Sequence, residues 1–204
     1  MAFLDTFSAT LSRPRVYLFG QFLIGGVRAR RVIIQDYVKP LPGVRVLDIG
    51  CGPAYTVAYF PQAEYYGFDI SRQYIEFANR RYSSRGRFFA QHFDEPALDW
   101  LPQVDVVLML GLLHHLDDES ARQLLGLAKR AMGHDGRLFT LDGFYEPGQP
   151  RVTRYLLDRD RGKFIRNQEE YVRLAKQVFS DVSVSRRNDL FHIPYSALIL
   201  ECRF

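Results

Sequence analysis

The run Val46-Leu-Asp-Ile-Gly-Cys-Gly-Pro-Ala54 is the part of the chain best suited to hold a ligand. Gly50 and Gly52 let a backbone turn sharply and approach a bound group closely. Pro53 suits the first turn of a helix, whose free N–H groups can receive a ligand's polar tail. Asp69 follows 19 residues after Gly50, where an acid can accept hydrogen bonds from the two hydroxyls of a ribose. His114 and His115 are adjacent and offer a general base for an alcohol or amine; the alternative is that paired histidines cap a strand–helix turn. No nearby His or Cys supplies metal-ligand spacing. Arg151, Arg154, Arg159, Arg161, Lys163 and Arg166 set six cations against Asp158 and Asp160. Such forks match a carboxylate or phosphate bidentately; equally, they form a solvated helix face with ion pairs such as Asp158 with Arg161. Tyr145, Tyr155, Phe164 and Tyr195 lie in the same region, as acceptor-site walls or as core.

Five strand-length apolar runs must position these residues: Val44–Ile49, Glu64–Asp69, Arg87–His92, Val104–Leu110 and Arg137–Asp142. Val104–Leu110 is nearly all apolar, as expected of a central strand buried on both faces. Amphipathic segments separate the runs. Ser71 is a good N-cap, Asp117 or Asp118 another, and Asn167-Gln-Glu-Glu170 has the capping-box pattern. Strand-to-strand spacings of about 20–30 residues predict right-handed βαβ units and a mainly parallel sheet. Asp181–Arg186 and Tyr195–Cys202 alternate as strands with a loop between them too short for a crossover helix, so they should pair antiparallel. The expectation is an α/β, Rossmann-like, doubly wound sheet of seven strands with an antiparallel C-terminal hairpin. Residues 2–38 read as one or two amphipathic helices, with Pro14 dividing Phe3–Ser12 from Arg15–Val38. Residues 1–39 thus form a helical lid or packing segment, 40–204 the main domain, and 143–166 an insertion on the ligand side.

Composition bounds the reading. The chain of 204 residues is 47% hydrophobic and 25% charged, the balance of one globular domain. A net charge of +4 is too small and too diffuse to argue for nucleic acid. The longest uncharged stretches, Val16–Val27 and Val106–His115, fall short of the roughly 18–20 apolar residues of a membrane span. Two cysteines, Cys51 and Cys202, make no disulfide framework, and Asp5 stands where a signal peptide carries positive charge; both fit a cytoplasmic protein.

The glycine spacing narrows the ligand. A dinucleotide fingerprint needs a small residue five positions after its first glycine, where this chain has Tyr55; its small residues fall at 50, 52 and 54. Asp48-Ile-Gly-Cys-Gly-Pro-Ala54 resembles instead the first motif of class I S-adenosylmethionine-dependent methyltransferases, with Ala54 in place of the commoner third glycine. Asp69, followed by Ile70, matches that family's acid at the end of the second strand, and Asp94 lies where it places a residue near the adenine amino group. Leu110-Gly-Leu-Leu-His-His-Leu116 resembles its segment lining the cofactor's methionine end, and the tail hairpin is its hallmark. The resemblance covers about residues 40–204. It implies S-adenosylmethionine as cofactor, held by Asp48, Gly50, Cys51, Gly52, Pro53, Asp69, Ile70, Asp94, Leu110 and Gly111. His114, standing where some relatives carry an active-site acid, is the favoured base over His115. Tyr145, Arg161, Arg166 and Tyr195 are the expected acceptor contacts, since the family's insertions after the fifth strand shape that pocket. N-terminal helices in relatives often lid the cofactor; here Tyr17, Phe19, Phe22 and Arg28 to Arg31 serve as lid, packing helix or dimer face, leaving monomer and homodimer both open.

The expected activity is methyl transfer to a small-molecule acceptor, on oxygen of a hydroxylated or anionic metabolite in biosynthesis. The alternatives are an RNA or protein methyltransferase anchored by the arginines, and a non-catalytic cofactor-binding domain. No Asn/Asp-Pro-Pro-aromatic motif follows the fourth strand, which disfavours DNA amino-methylation, and no Pro-Cys nucleophile supports cytosine C5 chemistry.

Overall fold

In the computed structural model, which describes residues 22–160 and 162–204, five parallel strands form the centre of the sheet. They are β1 (Arg45–Ile49), β2 (Glu64–Phe68), β3 (Arg87–Phe89), β4 (Val104–Leu110) and β5 (Met132–Tyr145). A two-residue β6 (Arg166–Asn167) pairs parallel with the end of β5. The tail strands β7 (Asp181–Arg187) and β8 (Ala197–Arg203) pair antiparallel, and β8 also runs antiparallel to β5. The order is β3-β2-β1-β4-β5-β8-β7, with β6 off that path. The seven expected strands are thus present with an eighth short one added. The fifth is longer than Arg137–Asp142, starting at Met132 and reaching Tyr145 with a register irregularity opposite Val104 and Val106.

Helices cover both faces, as parallel strands require. Helix α1 (Gly26–Val32) continues as a π-helical turn over Ile33–Val38. Then come α2 (Arg72–Tyr82), the one-turn α3 (Glu95–Leu98), α4 (Asp118–Ala131), α5 (Arg151–Asp158) and α6 (Gln168–Lys176). Their starts follow from local side-chain chemistry. Ser71 Oγ accepts from Tyr74 N, Asp117 Oδ1 accepts from Ser120 N, and Asn167 with Glu170 completes a capping box.

Alternation along each strand sorts the core. Leu47, Ile49, Phe68, Val107, Met109 and Leu138 pack against α4 and α6, with Leu125, Ala128, Leu174 and Ala175 beneath them. Val46, Tyr65, Val106, Leu108, Phe139 and Leu141 face α1 and α2, meeting Ala29, Ile33, Ile34, Val38, Ile75 and Ala78. Ala29, Ile33, Ile34 and Val38 therefore pack on the sheet, whereas Phe22 and Leu23 are exposed; the break at Gly25, with φ of 88°, lies where an added Cβ would come within 2.6 Å of His192 N. Phe3–Ser12, Tyr17 and Phe19 lie outside the described residues. No helix among the described residues is long and apolar enough to cross a membrane.

The order reverses between β1 and β4: β1 pairs with β2 on one side and β4 on the other. In such sheets the switch point at the carboxyl ends of the strands is the usual place of a ligand crevice. The loops after β1 and β4 both leave the sheet there.

Candidate active site

The loop after β1 is stitched to the end of β2. Gly50 N and Cys51 N both donate to Phe68 O, at 2.8 and 3.0 Å. Gly50, Gly52 and Ala54 hold φ of 73°, 56° and 57°, so the chain reverses through three left-handed residues. An added Cβ at Gly50 would meet Leu112 at 3.1 Å, whereas at Gly52 it would meet nothing within 4 Å. The Gly52 face of the loop is open space.

Asp69 closes the other side. Its Oδ2 accepts from Gly52 N and its Oδ1 from Ser71 N, both at 2.8 Å. Burial raises its pKa, and the N–H groups of Ser71 and Gly52 pull it part of the way back. The carboxylate thus lies against the glycine loop. Ile70, next to it, is 68% exposed. Asp48 is buried beneath the loop and accepts from the Tyr65 hydroxyl. Burial lifts its carboxyl to about 6, against the hydrogen bond from Tyr65 and the charge of Arg30. The Cys51 thiol is buried and pushed well above its ordinary value by that burial. Asp94 is exposed at the head of α3, with no side-chain cap bond.

One expectation fails here. Pro53 does not open an α-helix; a 3-10 helix over Tyr55–Tyr59 follows instead, with Ala54 as its left-handed N-cap. The cause is local. Thr56 and Val57 are β-branched, and Pro61 drives Phe60 out of the helical region, to φ −122° and ψ 72°. The expected row of helix N–H groups is therefore reduced to one tight turn.

The second loop carries the histidines. Gly111, at φ of 79°, turns the chain after β4, and its N–H donates to Leu141 O at 2.7 Å. A 3-10 turn, Leu113–His115, buries His114 and exposes His115, with ring centroids 4.2 Å apart. His114 Nδ1 lies 2.7 Å from Asp142 Oδ1, and the His114 main-chain N–H reaches the same oxygen at 3.2 Å. On its other edge, His114 Nε2 lies 3.4 Å from Asp160 Oδ1. Tyr195 donates to Asp160 Oδ2 at 3.0 Å, and Gly162 N to Asp160 Oδ1 at 2.9 Å. Burial alone would depress the pKa of His114. The hydrogen bond and charge of Asp142, then the charge of Asp160, outweigh burial and the opposing charge of Arg166, and hold the ring above its ordinary 6.5. The Tyr195 phenol is pushed up, first by burial and then by Asp160. Asp142 Oδ2 is buried with no hydrogen-bond partner among the described residues.

The remaining candidates divide. Tyr195 joins the His114 cluster through Asp160. Tyr145 donates to Asp158 on α5 at 2.7 Å, with Arg154 over its ring at 4.7 Å. Asp158, expected to pair with Arg161, is thus held by Tyr145; Arg161 lies outside the described residues. Arg166, expected to grip an acceptor's anion, is 6% exposed. Its donors go to Asp118 and to the carbonyls of Leu113, Phe164 and Leu116. A guanidinium so held has no fork left for a ligand.

Two carboxylates of this cluster, Asp142 and Asp160, were not among the expected site residues. Asp142 carries the same signal as Asp69, an acid at the carboxyl end of an apolar strand. Asp160 sits in a run of mixed charge where nothing distinguishes it from Asp158.

The chain can now be set beside known proteins. Residues 47–138 match the family model described as a methyltransferase domain. No curated protein sequence matches the chain. Among solved structures, it is similar to the pyocyanin biosynthetic protein PhzM, at 19% identity and TM-score 0.69 over 92% of this chain and 58% of that one. Geranyl diphosphate methyltransferase in complex with SAM is 16% identical with TM-score 0.68, over 86% of this chain and 84% of that one. Mitomycin 7-O-methyltransferase MmcR is 20% identical with TM-score 0.65, over 87% and 53%. The chain therefore spans little more than half the length of PhzM and of MmcR. At these identities the likeness establishes the fold.

Proposed function

We propose that this chain is a class I S-adenosylmethionine-dependent methyltransferase, a reading supported by the methyltransferase-domain match over residues 47–138 and by the shared fold, and that it methylates an oxygen of a small hydroxylated or anionic molecule. The crevice fits the cofactor. The open face of Gly52 admits a close-lying group that a side chain would block. Each Asp69 oxygen accepts one main-chain N–H and retains lone-pair capacity for a ribose hydroxyl. Ile70 offers an exposed apolar surface beside it for a base, while Leu110 is buried in the core beneath.

When bound, S-adenosylmethionine supplies a methyl carbon on a positively charged sulfur. The chain's own contribution lies in His114. Asp142 holds the Nδ1–H, which fixes the tautomer and leaves Nε2 as the proton acceptor. His114 Nε2 would take the proton of an acceptor hydroxyl held beside it, leaving the oxygen as the nucleophile. Asp142 stabilises the imidazolium so formed. The segment around Gly162 covers the ring, where a Cβ would fall 2.0 Å from His114 Cδ2, and keeps water from it.

One observation carries the choice of oxygen: His114 Nε2 already faces a carboxylate oxygen, Asp160 Oδ1 at 3.4 Å. An acceptor oxygen that took the place of Asp160 Oδ1 would lie beside Nε2, a position that suits a phenol, carboxylic acid or activated alcohol. The name of the mitomycin neighbour, which specifies O-methylation, supports the same class. The basic residues favour no nucleic-acid reading: Arg154 stacks on Tyr145, Arg159 on Tyr155, and Arg166 is internal. The test is methyl transfer from radiolabelled cofactor to a panel of phenols, carboxylic acids, sugars, amines and thiols. Transfer to an oxygen acceptor that collapses in His114→Gln supports the reading; transfer confined to amines or thiols, or indifferent to His114→Gln, refutes it.

A further inference from the structure

We infer that Arg166 is the positioning residue of this site, clamping the turn that carries His114 so that the imidazole and the Asp142 carboxylate stay in register. The inference rests on the reading of His114 as the base. Main-chain groups on both sides of that histidine are held. Its own N–H donates to Asp142 Oδ1 and its carbonyl accepts from Phe164 N at 2.9 Å. The carbonyl before it, Leu113 O, accepts from Arg166 Nη1 at 3.1 Å; the one two residues after it, Leu116 O, accepts from Nη2 at 2.7 Å. Nη1 also donates to Phe164 O at 3.0 Å, so the same cation ties down the segment covering the ring.

Three pieces of chain therefore meet at one guanidinium: the His114 turn, the covering segment and, through Asp118 Oδ1 at 2.8 Å from Nε, the start of α4. Arg166 itself is anchored to the same strand as Asp142, since β6 pairs Arg166 with Phe144 of β5. The base and its carboxylate are thereby referred to a common frame. Stability alone does not explain the choice of residue. Among the described residues the carboxylate it pairs with, Asp118, is 76% exposed at the side chain, whereas the Arg166 side chain is 7% exposed. A cation buried that deeply is a poor way to stabilise a fold where apolar packing would serve, whereas its bonds to three carbonyls hold the two segments that supply them in one arrangement. A lysine cannot replace it, because no ammonium spans three carbonyls in a planar fork.

The test reads the imidazole directly and needs no acceptor. In the full chain labelled with ¹⁵N-histidine, His114 is assigned from its loss in His114→Gln. Its tautomer and titration are then followed by NMR in wild type, Arg166→Lys and Arg166→Gln. The groups facing the ring are Asp142 on β5, Asp160 after α5 with Tyr195 behind it, Arg166 on β6 and the neighbouring His115. Arg166→Lys keeps the charge and loses the fork, so a change there reports geometry. The expected result is a wild-type His114 protonated at Nδ1 when neutral. In both variants the population shifts to the Nε2–H form, and with lysine the midpoint falls toward the 6.5 of an unperturbed histidine. S-adenosylmethionine affinity stays within about twofold. An unchanged tautomer and midpoint in folded variants would overturn the inference, as would loss of folding in both, which would make Arg166 a keystone of the domain. A wild type that proves inactive, with the tautomer nonetheless dependent on Arg166, would refute the proposed function and leave this inference standing.

Discussion

His114 and Asp142 share two contacts through one oxygen: Asp142 Oδ1 lies 2.7 Å from the ring Nδ1 and 3.2 Å from the main-chain N–H of the same histidine. A carboxylate that holds both ring and backbone fixes the orientation of the imidazole as well as its tautomer. That double contact is the geometry the proposed base requires. It also predicts that removing either partner damages the same step.

His114→Gln should lower kcat about 100- to 10,000-fold, the range of a lost general base, with cofactor affinity unchanged. Steady-state kinetics on an oxygen acceptor and calorimetric titration of the cofactor check the two halves. A fall in cofactor affinity of the same size would mean that His114 supports the crevice instead.

Transfer should depend on pH through His114. The ring acts as a base only when neutral, and the carboxylates hold its pKa above 6.5. The rate therefore falls as pH drops through that raised value. Asp142→Asn removes the main lift, so the limb should move to lower pH while kcat at its plateau declines. A limb that stays in place in Asp142→Asn would show that another group controls it.

Asp48 gives a separate test on stability. Its carboxyl titrates at about 6 in the folded chain against 3.8 unfolded. The folded state thus binds the proton more tightly, so this contribution is complete below pH 3.8 and is lost as pH rises through about 6. Asp48→Asn keeps an acceptor for Tyr65 and removes the buried charge. It should gain on the order of 1–3 kcal/mol relative to wild type between pH 4 and pH 8. Urea unfolding at the two pH values measures the difference; parallel behaviour of the two proteins would count against a buried, titrating Asp48.

Gly52→Ala should separate binding from folding. Its φ of 56° costs an alanine about 1 kcal/mol, a strain Ala54 already bears nearby at 57°. The melting temperature should fall by roughly 2–4 °C. The new methyl projects into the open crevice, so cofactor binding should be lost or cut at least tenfold in calorimetry. Full affinity in this variant would place the ligand elsewhere.

Much of the frame was legible in the residues. Ser71, Asp117 and Asn167 announce their helices because capping is local chemistry, and Val104–Leu110 announces a central strand because burial on both faces leaves no room for polar alternation. Gly50, Gly52 and Asp69 come together as their spacing implied, since parallel pairing of β1 with β2 fixes where the two strand ends lie. What stayed hidden depends on long-range placement. Arg166 stands in a charged run, and only the pairing of β6 with β5 shows that its guanidinium turns inward, 53 residues from Leu113. Asp160 was equally mute, because its partners His114 and Tyr195 come from distant parts of the chain. The missing helix after Pro53 reflects a balance the motif does not reveal: Thr56, Val57 and Pro61 defeat a turn that Pro53 favours.

The central claim, that the crevice between Gly52 and Asp69 binds an adenosyl sulfonium, is tested most directly by thermal unfolding with S-adenosylmethionine or its demethylated product. Ligand at about 100 times its dissociation constant adds roughly 2.7 kcal/mol, which should raise the melting temperature by about 5–10 °C in wild type and markedly less in Asp69→Ala. An unshifted melt at millimolar ligand, or an equal rise in both proteins, would contradict the account.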